Sequence, residues 1–404
     1  MDTTAKGRPS QTIRVLYLDH TARLSGAELA LARLLGALDR TRVEPIVVLA
    51  EDGPLYELLT REAVDTHVLP LQEKLRNVRK GSLGLVGLLR QIRSLGSLWR
   101  YSQRIGRFAQ EKRVDLIYAN SLKSDVYGAM AARFAGVPLI WHMHDRIDDR
   151  YLPAVAAWLV RFLARRLPTC VIANSASTLE ALRLSARKRA TIISSGLTHE
   201  HIERSWVPRR SNPIPQIGIV GRIAPWKGQD VFLEAAAQIL RKGIAAHFRI
   251  AGSAMFDEEN FEQKLYRLAQ DLGIRKHVEF LGFSDIPAFL RCLDILVHAS
   301  RIPEPFGQVI IEGMGAELPV VATDGGGPRE IIENGRTGLL VPMGDAEALA
   351  SALTQLLAQP DWARSLAAAG RRHALEHFTV EKSARRSEAL YEELVGVPAG
   401  ERYT

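Results

Sequence analysis

Three stretches in the second half of the 404-residue chain combine residue types suited to holding a polar, partly anionic ligand. Gly221-Arg-Ile-Ala-Pro-Trp-Lys-Gly228 follows an apolar run ending at Val220. Glycines at a strand exit let a ligand approach the backbone, and Arg222 and Lys227 add two cations near a helix start, which together make a cradle for a diphosphate. The plainer reading is a solvated basic loop. In Glu304-Pro-Phe-Gly-Gln-Val-Ile-Ile-Glu312, Pro305 suits a first helical turn. That would set Glu304 beside the helix start and Glu312 two turns on, roughly 80° round the axis, both facing one cleft. An acid at a helix start can simply complement the dipole. Glu312, among Val309, Ile310, Ile311 and Met314, needs a polar partner, for which a ligand hydroxyl is one candidate. Asp324-Gly-Gly-Gly-Pro-Arg329 supplies a third feature, backbone amides opening a helix one strand later.

The first half is less specific. Leu24-Ser-Gly-Ala-Glu28 follows the first strand and opens a helix, but it lacks the GxGxxG pattern of a dinucleotide site. Trp141-His-Met-His-Asp145 ends a strand, and alternation puts His142 and His144 on one face with Asp145 on the other. Two histidines at i and i+2 suit zinc, yet no third and fourth ligand stand at a usual spacing, so no metal is expected and a cleft-facing hydrogen-bond donor is the better reading.

These residues need a scaffold that brings strand ends to one edge. Strands are expected at Ile13–Leu18, Val43–Leu49, Asp115–Ala119, Leu139–His142, Thr169–Ala173 and Thr191–Ile193, with helices over Ala27–Leu38, Leu122–Phe134, Ala154–Arg166 and Ala176–Leu184. Three prolines between Pro208 and Pro215 read as a linker. A second series follows: strands Ile217–Val220, His247–Ala251, Val278–Leu281, Asp294–His298, Pro319–Ala322 and Leu339–Val341, with helices Asp230–Lys242 and Asn260–Leu272. Such alternation makes parallel sheets with crossover helices. The fold class expected is therefore α/β, two Rossmann-like doubly wound domains facing a cleft, with ligand groups at the carboxyl ends of strands. The domains expected are 1–210 and 216–380, with a closing helix in 381–404 that packs back on the first. At ~150 residues per domain, the length agrees. Cys170 and Cys292 each sit in an apolar run read as buried, with no paired spacing, so a reducing compartment fits.

Taken together, Gly221-Arg222 with Lys227-Gly228, the two acids Glu304 and Glu312, and Asp324-Gly-Gly-Gly-Pro-Arg-Glu330 resemble the donor-binding half of retaining glycosyltransferases of the GT-B fold, family 4. Ser25-Gly-Ala-Glu28, His144-Asp145, Asn174-Ser175 and Asn334–Leu340 extend the resemblance over nearly the whole chain. It implies a nucleotide-diphosphate sugar as donor, held by the second domain, an acceptor held by the first, no other cofactor and no metal. Arg222 and Lys227 would neutralise the leaving diphosphate, Glu304 would hold the donor sugar and Glu312 the ribose hydroxyls. Gly221, Phe306, Gly307, Gly326 and Gly327 would line the donor site, Gly26 would let a loop approach the phosphate, and His144 would meet the sugar at the reaction centre. The chain departs from the family pattern at Gly196-Leu-Thr198, where Gly-Val-Asp is common, and at Glu312-Gly-Met-Gly315, where Glu-Ala-Met-Ala is common.

The net charge of +8 is divided unevenly: 31 basic against 20 acidic residues in 1–205, and 22 against 25 in 206–404. Between Lys74 and Gln110 stand nine basic residues and no acid, interleaved with apolar ones, which suits an anionic membrane surface through residues 74–107. The N-terminus carries no apolar signal region and no apolar run reaches the ~18 residues of a membrane span. The expectation is a cytoplasmic enzyme, peripheral at the inner membrane face, acting on a glycan or lipid-linked acceptor in polysaccharide biosynthesis. Alternatives are another GT-B enzyme, such as a sugar-nucleotide epimerase or a phosphorylase, and a basic nucleic-acid-binding protein. The last has only its charge in support, no nucleic-acid motif, and is not expected.

Overall fold

A computed structural model describes residues 12–72, 85–148, 152–206, 212–254 and 258–396, with backbone alone for 85–95. Residues 74–84 of the basic segment, the side chains of 85–95, and 208–211 of the expected linker lie outside the described residues. The chain forms two compact units, residues 1–196 with 380–404, and residues 197–379.

The first unit runs β1 (Ile13–Asp19), α1 (Gly26–Ala37), β2 (Val43–Leu49), α2 (Pro54–Arg61), β3 (Asp65–Val68), α3 (Leu85–Glu111), β4 (Leu116–Ala119), α4 (Leu122–Ala135), β5 (Leu139–Met143), α5 (Ala154–Arg166), β6 (Cys170–Ala173), α6 (Ala176–Ala181) and β7 (Ala190–Ile192). Its seven strands pair in parallel in the order β3-β2-β1-β4-β5-β6-β7. Such a sheet is covered on both faces, so its strands read as continuous apolar runs whose side chains divide alternately between two cores. Val15, Tyr17, Tyr118, Ile140 and Ile172 enter one core, while Leu16, Leu18, Ile117, Trp141 and Val171 enter the other with helices α3, α4 and α5.

The second unit runs α7 (His199–Ser205), β8 (Gln216–Val220), α8 (Gln229–Arg241), β9 (His247–Ala251), α9 (Glu259–Asp271), β10 (Val278–Gly282), α10 (Ile286–Arg291), β11 (Ile295–His298), α11 (Gln308–Gly315), β12 (Val320–Thr323), α12 (Pro328–Ile331), β13 (Leu339–Val341), α13 (Ala346–Ala358) and α14 (Pro360–His377). Its six strands are also parallel, ordered β10-β9-β8-β11-β12-β13. In both sheets the order reverses beside the first strand, β1 or β8, and ligand sites of doubly wound folds lie at that switch point.

The chain leaves the first unit at Gly196, earlier than the proline-rich stretch suggests, because Leu197 and Ile202 belong to the second unit's core with Leu290, Met314 and Ala374. The last helix, α15 (Val380–Gly396), belongs to the first unit. Tyr391 is fully buried with its hydroxyl 3.1 Å from that of Tyr17, Ser383 donates to Ser194 O at 2.7 Å, and Arg42 bridges Glu388 and Glu392 at 2.8 and 2.7 Å. Helix α2 and the edge strand β3 have no counterpart in the sequence reading. Four residues at an edge, half-buried or exposed, carry little periodic signal. Cys292 is exposed, against expectation, because it stands just past the end of α10; Cys170 is buried in β6.

Candidate functional site

In the second unit the loop after β8 folds into a single 3-10 turn, Pro225–Lys227, closed by Gly228 at φ +73°. A side chain at Gly228 would put its Cβ 1.9 Å from Ala299 O, so only glycine admits the loop against the end of β11. Arg301 N then donates to Trp226 O at 2.8 Å, which ties this loop to the segment carrying Glu304. Lys227 Nζ lies 2.8 Å from Glu304 Oε1 and 4.3 Å from the centre of the Trp226 ring. Arg222 packs 5.5 Å from that ring and meets Glu258 at 3.3 Å.

Glu304 is 9% exposed and its other oxygen is held from behind. Ser300 Oγ donates to Oε2 at 2.7 Å and His298 Nε2 stands 3.4 Å from it. Burial alone would raise the carboxyl, but the Lys227 ammonium and His298 outweigh it and hold Glu304 well below the usual carboxylate range. The group is therefore a fixed anion, unsuited to act as a general acid at neutral pH.

The helix after it begins at Gln308, three residues later than Pro305 suggested, with Gly307 at φ +107° as its cap. The reason lies in the backbone of Glu304, which forms an isolated parallel bridge with Gly326. Glu304 N donates to Gly325 O at 3.2 Å and Gly327 N to Glu304 O at 2.9 Å, so the segment is held extended. A Cβ on Gly326 would fall 2.1 Å from Glu304 O, and one on Gly327 2.1 Å from Phe306 O. The glycine run thus packs directly beneath Glu304. The expected angular relation of Glu304 to Glu312 round one helix does not hold, since only Glu312 is helical. Glu312 is 4% exposed, and Gln308 Nε2 donates to it at 3.4 Å, giving it a protein partner. Phe306, expected to line the donor site, is 5% exposed with its ring in the core near Phe378 and its main chain packed against Gly327. Gly221, at φ +148°, has open space where a Cβ would be.

In the first unit a second polar group collects at the carboxyl ends of β1, β4 and β5. His144 Nε2 lies 2.9 Å from Asn120 Oδ1, and Asn120 Nδ2 donates to the fully buried Asp19 Oδ2 at 2.7 Å. The carboxylate can only accept, which turns the amide so that Oδ1 faces His144 and makes Nε2 of that ring the donor. Burial pushes His144 down to about 4, so it is neutral at physiological pH. His142, in the strand, is buried with Nδ1 bonded to the Tyr118 hydroxyl, and its ring centre is 3.9 Å from that of His144. Glu28 in α1 accepts from Ser25, and burial followed by the Asp19 charge raises it to about 7. Gly26, one residue after Ser25, has nothing within 4 Å of a Cβ position. Asn174 Nδ2 donates to His144 O at 3.2 Å, and Ser175 caps α6.

The expected residues therefore form two sets, one in each unit. Asp19, Asn120, His298 and Ser300 were missed, although a readable signal exists: Asp19, Asn120 and His298 are each the polar residue at which an apolar strand run stops.

Family comparison follows the same division. The description "Glycosyl transferase 4-like domain" fits residues 25–196, and "Glycosyl transferases group 1" fits residues 204–373. The chain belongs to the group 1 glycosyltransferases, with two Rossmann-like domains of the GT-B fold. Among solved structures of that fold it is similar to HepE of Anabaena in complex with UDP and glucose, at 28% identity and a TM-score of 0.78, over 95% of this chain and 100% of that one. Among curated relatives it is 27% identical to the alpha-D-kanosaminyltransferase of Streptomyces kanamyceticus over 73% of this chain and 79% of that protein. It is 32% identical to the lipopolysaccharide core biosynthesis mannosyltransferase LpcC of Rhizobium leguminosarum over 45% of this chain and 51% of that protein. The chain spans about half the length of most of the curated relatives it matches.

Proposed function

We propose that this group 1 glycosyltransferase moves a hexosyl group from a nucleoside-diphosphate sugar to a lipid-linked or polysaccharide acceptor at the cytoplasmic face of a membrane, with retention at the anomeric carbon and without a metal. The observation that carries the reading is the part-buried Lys227–Glu304 pair seated on the Gly326–Gly327 turn. An ammonium has three donors and Glu304 uses one, so others remain for phosphate oxygens without breaking the pair. Charge builds on the departing diphosphate as the glycosidic bond stretches, and a cation already held in place stabilises that state more than the ground state. Arg222 adds a second cation. Glu304 positions a sugar hydroxyl, Glu312 the ribose, and His144, a neutral donor, hydrogen-bonds the transferred sugar.

The complex of HepE with UDP and glucose supports UDP-glucose as the first donor to try. Purified full chain is incubated with UDP-glucose or other UDP-, GDP- and ADP-hexoses and a membrane-lipid or glycan acceptor, with product followed by NMR. The expected product keeps the donor's anomeric configuration, and its rate does not change with EDTA. Epimerised sugar nucleotide without transfer would overturn the reading in favour of an epimerase. Loss of rate in EDTA, restored by a divalent cation, would overturn its metal-free part.

A further inference from the structure

Helix α5 is apolar on two opposite sides. Its inner side buries Ala156, Ala157 and Ala164 in the sheet-facing core. A surface helix turns polar residues outward. Here Val155 is 67% exposed, Trp158 61%, Leu159 37% and Phe162 37%, at the i, i+3, i+4, i+7 spacing of one helical stripe. Single exposed apolar residues are ordinary, but a contiguous stripe marks an interaction surface. The rings of Trp158 and Phe162 stack at 5.5 Å and 19°, and Arg166 covers Phe162 at 4.4 Å.

Charge says what kind of partner fits. Helices α3, α4 and α5 cover the same sheet face and carry ten basic residues and two acidic ones, of which Asp125 is buried. Every large exposed apolar side chain described in the first unit, Trp99 on α3 and Phe134 on α4 among them, lies on these three helices. Aromatic rings beside arginines, on a cationic face, match the boundary between anionic headgroups and acyl chains.

We propose that the outer stripe of α5 is the element that seats this protein on an anionic membrane, with Trp158 and Phe162 entering the interface and Arg166 meeting lipid phosphates. It rests on the reading that the acceptor lies at a membrane, and it moves the point of insertion from residues 74–107 to α5.

The test is flotation of the full chain with vesicles of phosphatidylglycerol and phosphatidylcholine, against phosphatidylcholine alone. Wild type is expected to float with the anionic vesicles. Trp158→Ala/Phe162→Ala should lower partitioning by about tenfold or more, since two buried rings are lost. Arg166→Gln should weaken the preference for anionic lipid. Both variants should melt no lower than wild type and turn over a soluble acceptor unchanged. Vesicle binding by Trp158→Ala/Phe162→Ala equal to wild type would overturn the proposal, as would a wild-type dimer that this variant turns to monomer, which would make the stripe a self-interface. Vesicle binding without sugar transfer would leave the membrane seat standing and remove the transferase reading; transfer without vesicle binding would do the reverse.

Discussion

Lys227 Nζ and Glu304 Oε1 lie 2.8 Å apart across 77 residues of sequence, with the carboxylate held from its other side by Ser300 and the ammonium lying over Trp226. Neither group is solvated enough to lose its partner cheaply. The pair is a single pre-arranged dipole at the carboxyl edge of the second sheet.

Lys227→Ala is expected to lower turnover by roughly 10²-fold or more with a modest change in donor KM, because the cation acts most on the charge that develops in the transition state. Steady-state kinetics with the sugar nucleotide that the purified chain turns over checks this. Unchanged turnover would remove Lys227 from catalysis.

Glu304→Gln tests the same pair from the other side and has a pH signature. The folded carboxyl titrates below the unfolded value of about 4.3. Its contribution to stability is therefore present above that value and is lost as pH falls below it. Wild type should lead the Gln variant in melting temperature at pH 7, and the gap should close as the pH is lowered below about 4. A gap constant with pH would mean that the carboxylate charge does not stabilise the fold.

Glu28 has the opposite sign. Its folded value of about 7 lies above the unfolded one, so the stability it adds is complete at low pH and is lost as pH rises through 7. Glu28→Gln should flatten the fall in melting temperature between pH 5 and 8, seen by differential scanning fluorimetry across that range. Parallel curves for the two proteins would contradict a raised Glu28.

His144, lowered to about 4, contributes stability that is present above its unfolded value of about 6.5 and is lost as pH falls toward 4. Its ring should show a neutral, Nε2-protonated nitrogen spectrum at pH 6. Asn120→Ala should free the tautomer without removing the ring. An imidazolium spectrum at pH 6 is the result that fails.

Three glycines separate ligand space from packing. Gly326→Ala and Gly327→Ala drive a Cβ to 2.1 Å from backbone oxygen and should unfold the donor loop, with a lower melting temperature. Gly26→Ala meets nothing and should melt like wild type. If its kinetics are also unchanged, no ligand approaches at Gly26.

The apolar runs of the long central strands are legible because two-sided burial writes itself into consecutive residues, as in Val15–Leu18 and Val320–Ala322. Edge strand β3 is not, since its four residues are half-buried or exposed. At the site, the types of Arg222, Lys227, Glu304 and the glycine run identified the chemistry, while their roles as neighbours did not show. His298, Ser300, Asp19 and Asn120 went unread because polar residues at strand ends gain meaning only when parallel pairing brings those ends together.

Local sequence thus determined which residues could meet an anion, where most strands and helices run, and that the first half is basic. Tertiary structure alone decided that Lys227 faces Glu304, that Glu304 is held by a strand-like bridge to Gly326, and that α5 turns Trp158 and Phe162 outward. The physical reason is range. Burial period and turn chemistry act over a few residues, whereas an ion pair 77 residues apart or an uncovered helix face depends on how the sheets place their connections.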